Sequence, residues 1–130
     1  MAEIASLVLF SVDVGRTVAF YRALGLELEG EDHGDGALHF AADVAGVHFA
    51  VLDAAADPGR ALSWRRAGSL FPGFWVPSLS ATVAALAQLE APVLVVHQVR
   101  EWGCRAVLED PDGRAVEINQ RDHCPVEVNH

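Results

Sequence analysis

A chain of 130 residues supplies about one domain's worth of core, which excludes a multidomain machine. Its 52% apolar and 21% charged residues are the mixture of an ordinary globular protein rather than of a disordered or fibrous one. Eighteen acidic against nine basic residues give a formal charge of −9, so the electrostatic footprint for nucleic acid or an anionic lipid surface is missing.

Residues 4–12 (IASLVLFSV) are apolar and rich in β-formers, and Asp13 stands directly before apolar residues at helical spacing, so a strand leads into a helix. Val14, Val18, Tyr21 and Leu24 mark the buried face of that helix, Arg16 and Arg22 fall elsewhere, and Gly25 supplies the stop. From Leu26 the period becomes that of strands: LELEGE, a turn at HGDG, ALHFAAD, a turn around Ala45 and Gly46, then VHFAVLD. The first half, about residues 4–54, reads βαβββ. Residues 55–69 (AADPGRALSWRRAGS) hold turn residues without periodicity and connect two halves.

The pattern then begins again, over about residues 70–120. Phe71 to Pro77 is a strand, Ser78 an N-cap, and Leu79, Val83, Leu86 and Leu89 recur at helical spacing. PVLVVHQV, CRAVLE, a turn at DPDG and RAVEIN follow, again βαβββ. Shifting the sequence by 65 places Asp13 on Ser78, Thr17-Val18-Ala19 on Thr82-Val83-Ala84 and Leu24 on Leu89, the self-similarity of a duplicated unit. The tail, residues 121–130, has no usable pattern.

All nine basic residues are arginine, which removes Schiff-base and P-loop lysine chemistry. Cys104 and Cys124 are too few for a disulfide framework or a four-cysteine zinc site and are expected to be reduced thiols. The start, MAEIAS, lacks a basic region followed by an apolar core, and no apolar run has the length of a bilayer span. A cytoplasmic protein with no membrane partner is expected.

Four features together resemble the vicinal oxygen chelate superfamily, which includes glyoxalase I, extradiol dioxygenases and the fosfomycin- and bleomycin-resistance proteins. They are Asp13 with FYRALGLEL seven residues on, the tandem βαβββ order, REWGCRAVLE, and EDPDGRAVEI at residues 109–118. The resemblance covers roughly residues 4–120 and implies an α+β fold in which two βαβββ modules, each an incompletely closed half-barrel, enclose a cleft for a metal or ligand. It also implies a homodimer.

Metal-dependent members of that superfamily hold a divalent ion with four strand residues. Carried over by position, these are Ser6, Ala50 (with His48 on the same face), Phe71 and Glu117. One carboxylate, one imidazole, a serine and a phenylalanine fall short of the three good ligands a stable site needs, so no metal cofactor is expected.

The resemblance and strand alternation put Ser6, Val8 and Phe10 on one wall of the cleft and Phe71, Gly73 and Trp75 on the other. Trp102 lies along its mouth, and Trp64, in the connection, reaches the same opening. The residues expected to touch a ligand are therefore Phe10, His48, Trp64, Phe71, Trp75, Trp102 and Glu117, rings that suit a flat or conjugated molecule. The favoured expectation is a metal-independent binding protein that sequesters an aromatic or polycyclic natural product, similar to the bleomycin- and mitomycin-resistance branch, with no catalytic residue. The alternative is an enzyme, a lyase, isomerase or dioxygenase. It would use a divalent ion on Glu117 and His48 with a further ligand such as His97 or His39, or Glu117 as a general base whose pKa is raised in an apolar cleft.

Overall fold

A computed structural model of the chain describes residues 1–32, 38–54, 70–122 and 124. The chain divides into two compact units, Met1–Ala67 and Gly68–His130.

In the first unit, β1 (Ser6–Ser11) leads into α1 (Val14–Leu24), and β2 (Glu29–Asp32), β3 (Leu38–Val44) and β4 (Val47–Asp53) follow. The sheet order is β1-β4-β3-β2. β1 runs parallel to β4 while the other pairs are antiparallel, because the helix carries the chain back across the sheet before it re-enters. Asp13 caps α1 by accepting the Arg16 backbone N–H at 3.2 Å. The buried face of α1 is wider than the periodicity predicts, since Thr17 and Phe20 are buried beside Val18, Tyr21 and Leu24. Tyr21 meets Phe49 of β4 with ring centroids 5.2 Å apart. Burying each such side chain contributes roughly 1.5–3 kcal/mol.

Gly25, at φ 123°, ends α1, and the Leu26 N–H returns to the Tyr21 carbonyl at 2.9 Å. The strand expected from Leu26 begins only at Glu29. The Arg22 guanidinium occupies the Leu28 carbonyl, at 2.7 and 3.1 Å, and so diverts it from the ladder. The turn between β3 and β4 sits at Ala45 and Gly46, both left-handed at φ 52° and 85°, as a two-residue hairpin requires.

The second unit repeats the plan. β5 (Gly73–Trp75), α2 (Leu79–Ala87), β6 (Val93–Arg100), β7 (Gly103–Glu109) and β8 (Ala115–Arg121) form a sheet of order β5-β8-β7-β6 with β5 parallel to β8. Ser78 caps α2 through the Ala81 N–H at 3.1 Å, the duplicate of the Asp13 and Arg16 contact. The architecture is therefore α+β, and neither four-stranded sheet closes into a barrel.

In this unit the bounds of β5, α2 and β8 differ from expectation. β5 is shorter than Phe71 to Pro77, because prolines at 72 and 77 have no N–H to give a ladder. α2 ends at Ala87 rather than Leu89, since the chain tightens through Leu89 N–H to Leu86 O and turns left-handed at Glu90, φ 60°. β8 continues past Asn119 to Arg121.

The expectation of reduced cysteines is corrected, because Cys104 and Cys124 form a disulfide with Cα atoms 5.7 Å apart. Cys104 pairs with Gln120 across the β7–β8 ladder. Beyond Arg121 the chain turns at Asp122, whose N–H reaches the Trp102 carbonyl at 3.1 Å, and this fold-back brings Cys124 alongside. Among the described residues no helix is long and apolar enough to cross a membrane.

Candidate functional site

Each sheet packs its helix on one face and leaves chemistry on the other. In the second unit, register sets Gly73 opposite Glu117 and Trp75 opposite Asn119 on β8, while Arg105 of β7 faces Asn119 from the other side. Alternation puts Phe71, Gly73 and Trp75 on that same face.

The aromatic side chains gather at one end. Trp75 and Trp102 meet edge to face with ring centroids 5.4 Å apart, and the Arg121 guanidinium lies 4.1 Å from the Trp75 ring centroid, within cation–π range. These rings are not core. Phe71, Trp75 and Trp102 keep 55%, 50% and 42% of their surface in solvent. Of the residues expected to touch a ligand, Trp75 and Trp102 are thus brought into contact, with Phe71 on the face that carries Trp75. Arg121 was not among the expected residues, because it lies beyond the last strand read from the sequence.

Glu117 is fully engaged. Its Oε2 accepts from Arg105 Nη2 and Nε at 2.7 and 2.9 Å, and its Oε1 from the Asn119 amide at 2.9 Å. Arg105 also donates to Gln98 Oε1 at 3.0 Å, which accepts Arg100 at 2.7 Å. A Cβ at residue 73 would stand 3.2 Å from Glu117 Oε1, so glycine there makes room for the carboxylate. The Asn119 amide and the Arg105 guanidinium hold the Glu117 carboxyl below its ordinary 4.5, against the opposing effect of burial. The raised pKa expected of a general base in an apolar cleft is therefore corrected: the neighbours are charged and donating. Asn119 Oδ1 is buried and accepts no hydrogen bond among the described residues.

In the first unit, Ser6 pairs with His48 and Val8 with Ala50, so Ser6, Val8 and the half-buried Phe10 line the helix-free face of β1. His48 is exposed there, and one donor atom each from Glu31, His39 and His48 lie within 4.8 Å of one another. Trp64 lies outside the described residues. His97, the other imidazole considered as a ligand, sits with Nε2 2.8 Å from Cys124 Sγ. The two sulfurs beside it are bonded to each other and are not thiolates.

At the positions where the family resemblance puts metal ligands, the donor set does not fit an ion. Ser6 offers a neutral hydroxyl, Ala50 and Phe71 offer nothing, and Glu117 is held by a guanidinium and an amide. The DPDG motif, by contrast, is structural. Asp110 accepts the Asp112 and Arg114 N–H groups at 2.9 and 3.0 Å and pairs with the Arg114 guanidinium at 3.0 Å, and Gly113 at φ 90° completes the turn.

Two sheets of identical strand order, each with its first strand parallel to its last and one crossover helix, define a duplicated βαβββ protein. The sequence pattern of the Glyoxalase/Bleomycin resistance protein/Dioxygenase superfamily matches residues 3–118, and the chain belongs to that superfamily. Solved structures share the fold. A glyoxalase-related enzyme from Fulvimarina pelagi superposes with TM-score 0.74 at 19% identity, over 98% of this chain and 94% of that one. A glyoxalase/bleomycin resistance protein/dioxygenase family enzyme from Burkholderia phytofirmans PsJN gives 0.72 at 17%, over 93% and 100%. TnmS3, an antibiotic binding protein from Streptomyces sp. CB03234, gives 0.68 at 21%, over 94% and 98%. No curated protein sequence matches the chain.

Proposed function

We propose that the protein is a metal-independent small-molecule-binding protein that sequesters an aromatic or polycyclic natural product, as an antibiotic-resistance protein does. The observation that carries this reading is the half-exposed Trp75–Trp102 corner with Arg121 on the Trp75 face. Indole surface left in water at a fixed angle is a stacking platform for a flat ligand, and exposed aromatic surface of this kind marks binding sites. Phe71 extends the platform.

The surroundings of Glu117 support capture rather than turnover. A carboxylate committed to Arg105 and Asn119 is neither paired with a nucleophile nor poised to take a proton. The description of TnmS3 as an antibiotic binding protein supports the same role. We assign a homodimer to this reading, because Val93, Leu94, Val96 and Val99 stand exposed on β6, the edge strand of its sheet, and such an edge needs cover.

The test is a titration of the full chain with bleomycin, mitomycin C and a panel of polycyclic quinones, read by tryptophan fluorescence and calorimetry with and without EDTA. Saturable one-to-one binding, unchanged by the chelator and weakened about fivefold or more by Trp75→Leu, is expected, since one lost ring contact is worth about 1 kcal/mol or more. No response from any compound, or a response insensitive to Trp75→Leu and Trp102→Leu, overturns the reading. Chemical turnover of a bound compound moves the protein to the lyase, isomerase or dioxygenase class.

A further inference from the structure

The first unit gathers metal-ligating side chains that ligand capture on the tryptophan face does not use. Glu31 of β2 and His39 of β3 are direct partners across an antiparallel pair, with Glu31 Oε2 3.0 Å from His39 Nε2. His48 of β4 supplies a third donor, and the three ligating atoms lie within 4.8 Å of one another. Register puts Glu29, Glu31, His39, Ala41, Asp43 and His48 on the same side of the sheet, because their partners Glu29↔Ala41, Glu31↔His39 and Asp43↔His48 are in step with the pleat.

That side holds a concavity of about 450 Å³, to which Glu27, Glu29, Glu31, Asp43 and His48 contribute. Four carboxylates converge there with an imidazole, and no arginine lines it among the described residues. The field there favours a cation.

We propose that Glu31, His39 and His48 form a binding site for a borderline divalent transition-metal ion of the zinc class, with its remaining coordination positions open. Two imidazoles and one carboxylate are the donor set of such ions, whereas calcium and magnesium take oxygen ligands. Metal–ligand bonds of about 2.0–2.2 Å around a tetrahedral ion set neighbouring donors roughly 3.3 Å apart. The Glu31 and His39 atoms already stand close to that separation. His48, which is exposed, closes the remaining gap by turning its side chain, with no movement of the strands. The site differs from the positions that the family resemblance assigns to metal, which here are Ser6 and Ala50 in this unit. It goes beyond the ligand-binding reading and does not depend on it.

The experiment takes the full chain with its disulfide intact, strips it with chelator, removes the chelator, and titrates it with Zn²⁺ by calorimetry and with Co²⁺ by visible absorption. One equivalent is expected to bind, with the Co²⁺ bands of a low-coordinate nitrogen and oxygen site. His39→Ala, His48→Ala and Glu31→Gln should each weaken Zn²⁺ binding by more than about tenfold, the loss expected even for an outer-shell partner, and His97→Ala should leave it unchanged. His48 is the deciding position, because substitution of an exposed side chain leaves folding intact, as circular dichroism of the variant will verify. Absence of saturable binding, or one-equivalent binding that survives His48→Ala or is lost in His97→Ala, overturns the proposal.

Discussion

Replacing Asp110 by alanine tests whether the DPDG turn, the most family-specific stretch of the sequence, holds the fold rather than serving chemistry. The carboxylate is wholly buried, with Asp110 and Arg114 side chains 0% and 3% exposed. It accepts two backbone N–H groups and one guanidinium N–H. Removing it takes the 3.0 Å carboxylate partner from the buried Arg114 guanidinium, whose contact to Asp112 is longer, at 3.6 Å. Breaking one partner of a buried pair costs about 3–5 kcal/mol, and for a chain of this size that lowers the unfolding midpoint by roughly 10–15 °C. Thermal unfolding followed by circular dichroism reads the effect. Adding Arg114→Met to Asp110→Ala should recover part of the loss, because the buried charge that lost its Asp110 carboxylate is then gone. A shift under about 3 °C, or a double variant no more stable than the single one, would refute this account of the turn.

Gly103, at φ 148°, has no room for a side chain, since its Cβ would overlap the Gln120 carbonyl oxygen. Gly103→Ala should therefore destabilise by about 2–3 kcal/mol in urea unfolding. Ala45→Asn should stabilise by about 0.5–1 kcal/mol in the same assay, because Ala45 sits at φ 52° before Gly46 and an Asn-Gly pair suits that turn. Reduction of the Cys104–Cys124 bridge, which spans 20 residues, should remove about 3 kcal/mol on the loop-entropy account, visible as a lower midpoint in dithiothreitol. The Glu117 carboxyl titrates below its ordinary 4.5 in the fold, so its network stabilises in full above that pH and loses its contribution as the pH falls through the lower folded value. Glu117→Gln should accordingly flatten acid unfolding below pH 4.5 and leave the curve near neutrality with the same slope.

The elements were legible wherever a local physical signal was strong. The caps at Asp13 and Ser78, the stop at Gly25, the turns at Ala45-Gly46 and DPDG, and the β4 span of VHFAVLD all follow from the residues at those positions. Boundaries slipped where a tertiary contact overrides the local pattern. The Arg22 guanidinium on the Leu28 carbonyl delays β2, and no pairing rule along the chain reveals it. The disulfide was hidden for the same reason, since it needs the fold-back at Asp122 that brings residue 124 to residue 104. At the candidate sites, types and faces could be read but partners could not. Trp75, Trp102 and Glu117 were expected on the basis of alternation and resemblance. Arg105 on Glu117 and Arg121 on Trp75 depend on which residues of β5, β7 and β8 share a row, which is a matter of register.

The duplication explains why two units so alike in backbone differ so much in chemistry. Alternation divides every strand into residues that must pack under a helix and residues that need not. The first set is tightly constrained: Leu9, Phe49 and Val51 in one unit and Val116, Ile118 and Leu108 in the other are all buried and apolar. A polar change at any of them would leave an unsatisfied group in a dry core. The second set faces away from the helix, so its residues change without unfolding the sheet. On these helix-free faces one unit therefore holds Glu31, His39 and His48 and the other Arg105, Glu117, Asn119 and Trp75. A donor lost from such a face costs the fold little. That is the physical reason an alanine at residue 50 and a phenylalanine at residue 71 can stand where the family resemblance puts metal ligands while the architecture around them persists.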